Sequence, residues 1–236
     1  MRDLWTVAFA GGGTGGHLYP ALALAGELVS QRPEIRPVFI GASRGIESRV
    51  LPEKGLEYSL LPVRGWKRGQ FRTNIGVPWA LLKSLFSSIK LHKRYNTKLV
   101  VVTGGYSSAP AGLAAVIMGI PLVLQEQNAH PGVTTRILSL WAKQMHVAFS
   151  EAILHLPAKA RTIALNSGCP IEPPGKISLK REEIYEEFGL DPKFKVLLVT
   201  GGSQGSVALN DLVLKNLQRY LEGREDFFSK WQILWI

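Results

Sequence analysis

Short apolar runs recur along the chain at 6–10, 37–40, 56–63, 99–103, 121–125 and 145–149, and segments with helical spacing lie between most of them, at 19–30, 46–51, 77–94, 109–118 and 134–142. Several of the runs are near-continuously apolar, as strands buried on both faces are. Such strands alternating with helices predict a parallel sheet covered on each side. The expected fold is α/β, a doubly wound, Rossmann-like sheet whose ligands bind beyond the carboxyl ends of the strands.

A proline- and glycine-rich stretch at 166–175 interrupts the alternation and reads as a linker. After it come a polar helix at 178–188, a strand at 195–200, a glycine turn at 201–205, a helix at 207–221 and an apolar run at 231–236. The expected domains are 1–165 and 166–236. So few elements can hardly cover both faces of a second sheet, so that domain is expected to be truncated or completed by a partner chain.

Composition narrows the classes. With 236 residues and 46% hydrophobic content the chain can bury a core. The lone Cys169 excludes an internal disulfide and fits a reducing compartment. No apolar run is long enough to cross a bilayer, and the N-terminus reaches a glycine cluster too soon to hold a signal peptide, so a soluble or peripheral protein is expected. The net charge of +10 invites a polyanionic partner, and it is local. No acidic residue lies between Tyr58 and Gln125, where Arg64, Lys67, Arg68, Arg72, Lys83, Lys90, Lys93, Arg94 and Lys98 fall.

Candidate chemistry starts at Gly11-Gly12-Gly13-Thr14-Gly15-Gly16-His17, where a strand turns into a helix. Glycines admit close backbone approach, and helix N-terminal amides favour an anion. The spacing formally matches a dinucleotide fingerprint, but Ser43 and Arg44 stand where the usual acid after the second strand would be, which keeps an NADP-dependent oxidoreductase as a competitor. His17, in the first helical turn, reads either as a general base held neutral by the helix dipole or as a cap of the turn.

Val102-Thr103-Gly104-Gly105-Tyr106-Ser107 repeats the strand–glycine–helix architecture, so two sets of amides are expected along one crevice. Glu126, Gln127 and Asn128 form a polar cluster where a buried strand emerges, suited to sugar hydroxyls or to orienting His17. No cluster has metal-ligand spacing. Arg64, Trp66, Lys67, Arg68, Phe71 and Arg72 mix cations with aromatics, as an anionic membrane interface requires; nothing resembles a nucleic-acid module, and no nucleic acid is expected. In the following helix, Leu81, Leu82, Leu85 and Ile89 share one face, which reads more simply as packing on the sheet.

Taken together, Gly12 to His17, Gly104-Gly105-Tyr106, Glu126-Gln127-Asn128 and Gly201-Gly202-Ser203-Gln204-Gly205, in this order and spacing, resemble the bacterial peptidoglycan N-acetylglucosaminyltransferases of glycosyltransferase family 28. The resemblance covers about 7–205. It implies the glycosyltransferase B fold, with the N-terminal domain complete and the C-terminal one truncated. It implies inverting transfer of N-acetylglucosamine from UDP-N-acetylglucosamine to undecaprenyl-diphosphoryl-muramoyl-pentapeptide (lipid I), yielding lipid II at the cytoplasmic face of the membrane, with no cofactor or metal. His17 is then the base, with Glu126 its support or rival. Thr14, Gly15, Gly16, Asn128 and Ser203 match positions associated with UDP-N-acetylglucosamine; Gly104, Gly105, Tyr106, Gln127 and Gln204 complete the substrate-binding set. Two departures qualify this. Gly168-Cys169-Pro170-Ile171-Glu172 puts a carboxylate where the family typically has an arginine, and the later donor-site segments are missing. An inactive or partner-dependent acceptor- and membrane-binding module is therefore the alternative.

Overall fold

The computed structural model describes residues 5–66, 69, 74–172, 180–202, 205–219 and 230–236. The chain divides into two compact units, Met1–Glu172 and Pro173–Ile236.

The first unit is built on a seven-stranded sheet of order β3-β2-β1-β4-β5-β6-β7, every pair parallel. Its strands are β1 (Trp5–Gly11), β2 (Ile35–Ala42), β3 (Tyr58–Leu61), β4 (Leu99–Gly104), β5 (Leu122–Glu126), β6 (Gln144–Val147) and β7 (Ala164–Asn166). The chain winds outward from β1 to β3, crosses back to β4, and winds outward the other way. The reversal lies between β1 and β4, the place where such sheets open a ligand crevice. There the ladder slips out of register between Ala10 and Gly11.

Alternate side chains feed two cores. Val7 and Phe9 of β1, Phe39 of β2 and Val101 of β4 pack with Leu18, Ala21, Leu22 and Ala25 of α1 (Gly15–Gln31). On the other face Ala8, Ala10, Val100 and Val102 meet Ala111 and Ala115, which belong to the later helix Ala109–Ile117. Alanine on both sides of that contact brings helix and sheet close.

The expected strands and helices recur with shifted ends. Helix α1 starts at Gly15, four residues before its apolar periodicity, because glycines add no apolar signal although their amides begin the helix. The short helix α2 (Glu47–Glu53) follows β2, and β3 is shorter than the 56–63 run. The three-residue β7 was not anticipated: Leu165 and Asn166 are exposed, so it carries no buried apolar run.

Helix α3 (Val77–Tyr95) departs most from expectation. Its buried residues are Ser84, Ser88, His92 and Tyr95. Leu81, Leu85 and Ile89 are only half-buried, and Leu82 is exposed with Trp79 and Phe86. Small side chains let α3 lie against α4 (Ala109–Ile117), turning large apolar ones outward. Asn96, left-handed at φ 49°, ends the helix.

His92 pins α3 from within. Its Nε2 lies 3.1 Å from the Ala111 carbonyl, which can only accept, so Nε2 carries the proton and Nδ1 accepts from the Thr97 hydroxyl at 3.2 Å. Burial pushes its pKa below the ordinary 6.5, outweighing the opposing effect of the bond to Ala111.

The second unit contains α8 (Arg181–Glu187), β8 (Lys195–Val199), α9 (Val207–Arg219) and β9 (Trp231–Trp235), with β8 and β9 parallel. Trp235 Nε1 donates to Asn210 Oδ1 at 3.1 Å, fixing α9 to β9. Two short helices of the first unit, α6 (Glu151–Leu154) and α7 (Ala158–Arg161), follow β6, after α5 (Val133–Leu138) between β5 and β6.

Because the unfolded chain takes up a proton near pH 6.5 that folded His92 resists, its contribution to stability is present in full above that pH and is lost as pH falls below it. Urea unfolding across pH 8 to 5 should show this decline, and His92→Asn should flatten it while lowering stability by about 1–3 kcal/mol.

Candidate functional site

Three loops meet at the carboxyl edge of the first unit's sheet, after β1, β4 and β5. Thr14 stands at the N-cap of α1 in extended conformation, and its hydroxyl makes no capping bond. Instead Thr14 Oγ1 and His17 Nδ1 share a hydrogen bond of 3.0 Å. No acidic residue occupies the first turn of α1, so its N-terminal amides keep their partial positive charge.

The loop after β4 closes on the loop after β1. A Cβ on Gly105 would lie 2.2 Å from the Gly12 carbonyl oxygen and 3.3 Å from His17 Nδ1. One on Gly104 would lie 2.8 Å from His17 Cδ2. Both glycines have positive φ, 95° and 81°, so neither space nor backbone admits a side chain. Thr103 Oγ1 donates to the His17 carbonyl at 2.7 Å, tying β4 to the first turn of α1. The Tyr106 ring, in a 3-10 turn at Tyr106–Ser108, comes against Gly13. Burial raises its pKa, and Glu47 adds to the effect.

His17 is partly buried. Desolvation lowers its pKa below 6.5, while the charges of Glu126 and Glu47 oppose the shift. It is thus neutral at pH 7 and able to accept a proton.

Glu126 is buried at the end of β5. Its Oε1 accepts from Asn128 N at 3.0 Å and Asn128 Nδ2 at 2.8 Å, and its Oε2 from Gly132 N at 3.1 Å. The carboxylate that reads in sequence as base or support therefore folds the 126–132 loop around itself, leaving the Asn128 side chain exposed. Gln127 lies alongside, half-buried, and neighbouring Gln125 donates from Nε2 to the Gly168 carbonyl at 3.0 Å.

Glu47 escaped the sequence reading. It is fully buried, and its carboxylate accepts from Gly13 N at 2.8 and 3.1 Å and from Ala42 N at 2.7 Å. Added Cβ atoms on Gly12, Gly41 and Gly45 would each come within 2.4 Å of it. The signal available was the glycines on either side of β2's end, Gly41 and Gly45, just before an acid in a helix's first turn.

The structure thus brings Thr14, Gly15, Gly16, His17, Gly104, Gly105, Tyr106 and Glu126 with its loop to one edge. Arg64 and Trp66 are exposed beyond β3. Ser203, Gln204, Lys67, Arg68, Phe71 and Arg72 lie outside the described residues. Glu172, at the end of the first unit, sits 4.0 Å from Lys54.

A doubly wound sheet with paired glycine turns at its reversal defines the Rossmann-like domain of the glycosyltransferase B type. In keeping with this, a UDP-glucosyltransferase from Polygonum tinctorium shares the fold at TM-score 0.63 and 16% identity, with all of this chain and 65% of that one covered. Residues 7–147 match the Glycosyltransferase family 28 N-terminal domain, and the chain belongs to that family, which displaces the oxidoreductase reading. It is 43% identical over 221 residues to the UDP-N-acetylglucosamine–N-acetylmuramyl-(pentapeptide) pyrophosphoryl-undecaprenol N-acetylglucosamine transferase of Chlorobium luteolum, covering 92% of this chain and 60% of that protein. The enzyme of that name from Desulforudis audaxviator is 39% identical, with 92% and 57% covered. The crystal structure of Acinetobacter baumannii MurG superposes at TM-score 0.67 and 25% identity over 98% of this chain and 66% of that one. The chain thus spans about 60% of the length of the curated relatives it matches.

Glu47→Ala should leave the buried Gly13 and Ala42 amides unpaired and lower stability by roughly 3 kcal/mol. Denaturant unfolding measures it; a change within about 0.5 kcal/mol would show that the carboxylate holds nothing.

Proposed function

We propose that the chain supplies the acceptor-binding and membrane-associating part, 1–165, and the start of the donor-binding part, 166–236, of an inverting transferase. That enzyme moves N-acetylglucosamine from UDP-N-acetylglucosamine to lipid I at the cytoplasmic membrane face, forming lipid II. The observation that carries this reading is the closure of two glycine turns around His17 at the sheet's reversal. The relatives' names give the chemistry that such a site serves.

In this reading the amides of Gly15 and Gly16 and the turn at Gly104 and Gly105 receive the acceptor's diphosphate, Tyr106 walls it, and Gln127 and Asn128 reach sugar hydroxyls. With Nδ1 protonated and donating to the Thr14 hydroxyl, His17 keeps Nε2 free. That nitrogen takes the proton of the acceptor's 4-hydroxyl as its oxygen attacks the anomeric carbon and UDP leaves. Glu126, saturated by loop donors, supports the site and stabilises the imidazolium formed. Ser203 and Gln204 serve the donor.

Membrane association rests on an outward apolar stripe with cations and no exposed acid. Ile75 and Trp79 are each 74% exposed, and Leu82, Phe86 and Trp66 are also exposed. Lys83, Lys90, Lys93 and Arg94 are exposed on the same helix. Burying one such side chain contributes about 1.5–3 kcal/mol, so a surface that forgoes it several times over suits an apolar partner. Among the described residues no helix is long and apolar enough to cross a membrane. The second reading, a binding module without turnover, is favoured by Glu172, a carboxylate where the family typically has an arginine.

Transfer to a lipid I analogue, measured with the chain alone and with the chain joined to the C-terminal remainder of the Chlorobium luteolum relative, tests the first reading. His17→Ala should lower the rate at least about 100-fold. Because His17 titrates below 6.5, the acid limb of kcat/KM should fall below that pH. Unchanged activity in His17→Ala removes it as base, and no turnover in either form leaves the module.

Binding to vesicles containing anionic lipid should weaken with salt and in Trp79→Ser with Phe86→Ser. Sedimentation with vesicles measures it, and undiminished binding by that double variant would sink the α3 surface.

A further inference from the structure

His130 and His155 face each other on the surface of the first unit, their ring centroids 4.4 Å apart and their planes tilted by 50°. Both side chains are exposed. They stand 25 residues apart in sequence, so no metal-ligand spacing marks them. The rings of the other three histidines are engaged: His17 with Thr14, His92 with Thr97 and Ala111, His146 with Ser167 and Gln144. Among the described residues, the rings of His130 and His155 have no hydrogen bond or ion pair and meet only each other.

Each is held on a fixed backbone by its own charged anchor. His130 lies in the loop that Glu126 folds, and the carboxylate accepts from the amides of Asn128 and Gly132 on either side of it. His155 caps the C-terminus of α6, and the Arg161 guanidinium brackets it. There Nε donates to the Leu156 carbonyl and Nη2 to the Leu154 carbonyl, each at 2.8 Å. The backbones that bring the rings together are therefore ordered by folding, and a ligand bridging the rings has little left to immobilise.

Neutral imidazole is the commonest protein ligand of zinc and suits copper and nickel as well. Two imidazole nitrogens about 2 Å from one ion place their ring centres roughly 4.5–5 Å apart. A small rotation of two exposed side chains reaches that spacing from 4.4 Å. Among the described residues no group of three or more His, Cys, Asp and Glu could hold a metal, so water would fill the remaining positions.

We propose that His130 and His155 together bind one divalent transition-metal ion of the zinc type, which clamps the 126–132 loop to the segment after α6. The same loop carries Gln127 and Asn128, so its stiffness becomes responsive to the ion. Only the consequence for sugar recognition rests on the transfer reading given above; the metal site does not.

Calorimetry of the untagged chain with zinc chloride at about pH 7.5, where protons compete little for imidazole, tests the site without any turnover. One ion should bind per chain, and His130→Ala or His155→Ala should each weaken it at least about tenfold. Both positions are exposed, so either variant should fold as the unaltered chain does. His146→Ala, and His17→Ala in the crevice, should each change the affinity less than about twofold. Zinc should also slow hydrogen exchange over 128–132 in the unaltered chain but not in the double variant, and magnesium, which prefers oxygen ligands, should do so in neither. No zinc binding by the unaltered chain, affinity retained by the double variant, or an equal loss in His146→Ala or His17→Ala overturns the site. Zinc binding that leaves exchange over 128–132 unchanged overturns the clamp.

Discussion

The architecture of the site depends on a buried negative charge held by backbone. A carboxylate removed from water is costly unless hydrogen bonds replace its hydration. Glu47 obtains them from Gly13 and Ala42, one amide in the loop after β1 and the other at the end of β2. It fits only because Gly12, Gly41 and Gly45 present no Cβ to it. The glycines that read as a ligand loop thus serve two purposes on two sides. Toward the core they admit Glu47; toward the crevice they let Gly105 reach the Gly12 carbonyl and Tyr106 reach Gly13.

This arrangement divides labour between two buried carboxylates. Glu47 fixes the loop after β1 and Glu126 fixes the loop after β5, each by accepting backbone amides. Neither has a cationic partner among the described residues, so both act as fixed negative charges on His17, opposing the desolvation that keeps it neutral. A neutral imidazole flanked by anions accepts a proton readily once a transition state offers one. The protonation of His17 is therefore tuned by carboxylates that follow the strand next to β1 on one side and the second strand along on the other.

Much of the fold was legible because parallel strands buried on both faces leave unmistakable apolar runs, as at 99–103 for β4. The site was legible where glycine pairs follow such runs. The rest was hidden for physical reasons. Ala164–Asn166 forms an edge strand with exposed side chains, so no burial pattern marks it. Glu47 opens a short helix, and an acid in that place ordinarily reads as a solvated cap; its burial depends on Gly12, distant in sequence, as well as on the nearby Gly41 and Gly45. At the end of the first unit, 166–172 reads as linker. Gln125 nevertheless bonds the Gly168 carbonyl, holding that stretch to the unit.

Helix α3 shows how a periodic pattern can mislead about which face is inside. Periodicity fixes where apolar residues cluster around a helix, and burial is decided by what the neighbouring surface can accept. α4 is rich in buried alanines, and a helix approaches such a surface best with small side chains. Ser84 and Ser88 meet that requirement, Ser88 bonding back to the Ser84 carbonyl at 2.8 Å. His92 then reaches across to the Ala111 carbonyl. Trp79, Leu82 and Phe86 are left outside with the lysines. The tight polar seam inside and the apolar stripe outside are two consequences of one packing choice, so the outward apolar surface is fixed by the same contacts that hold α3 to the sheet's second layer.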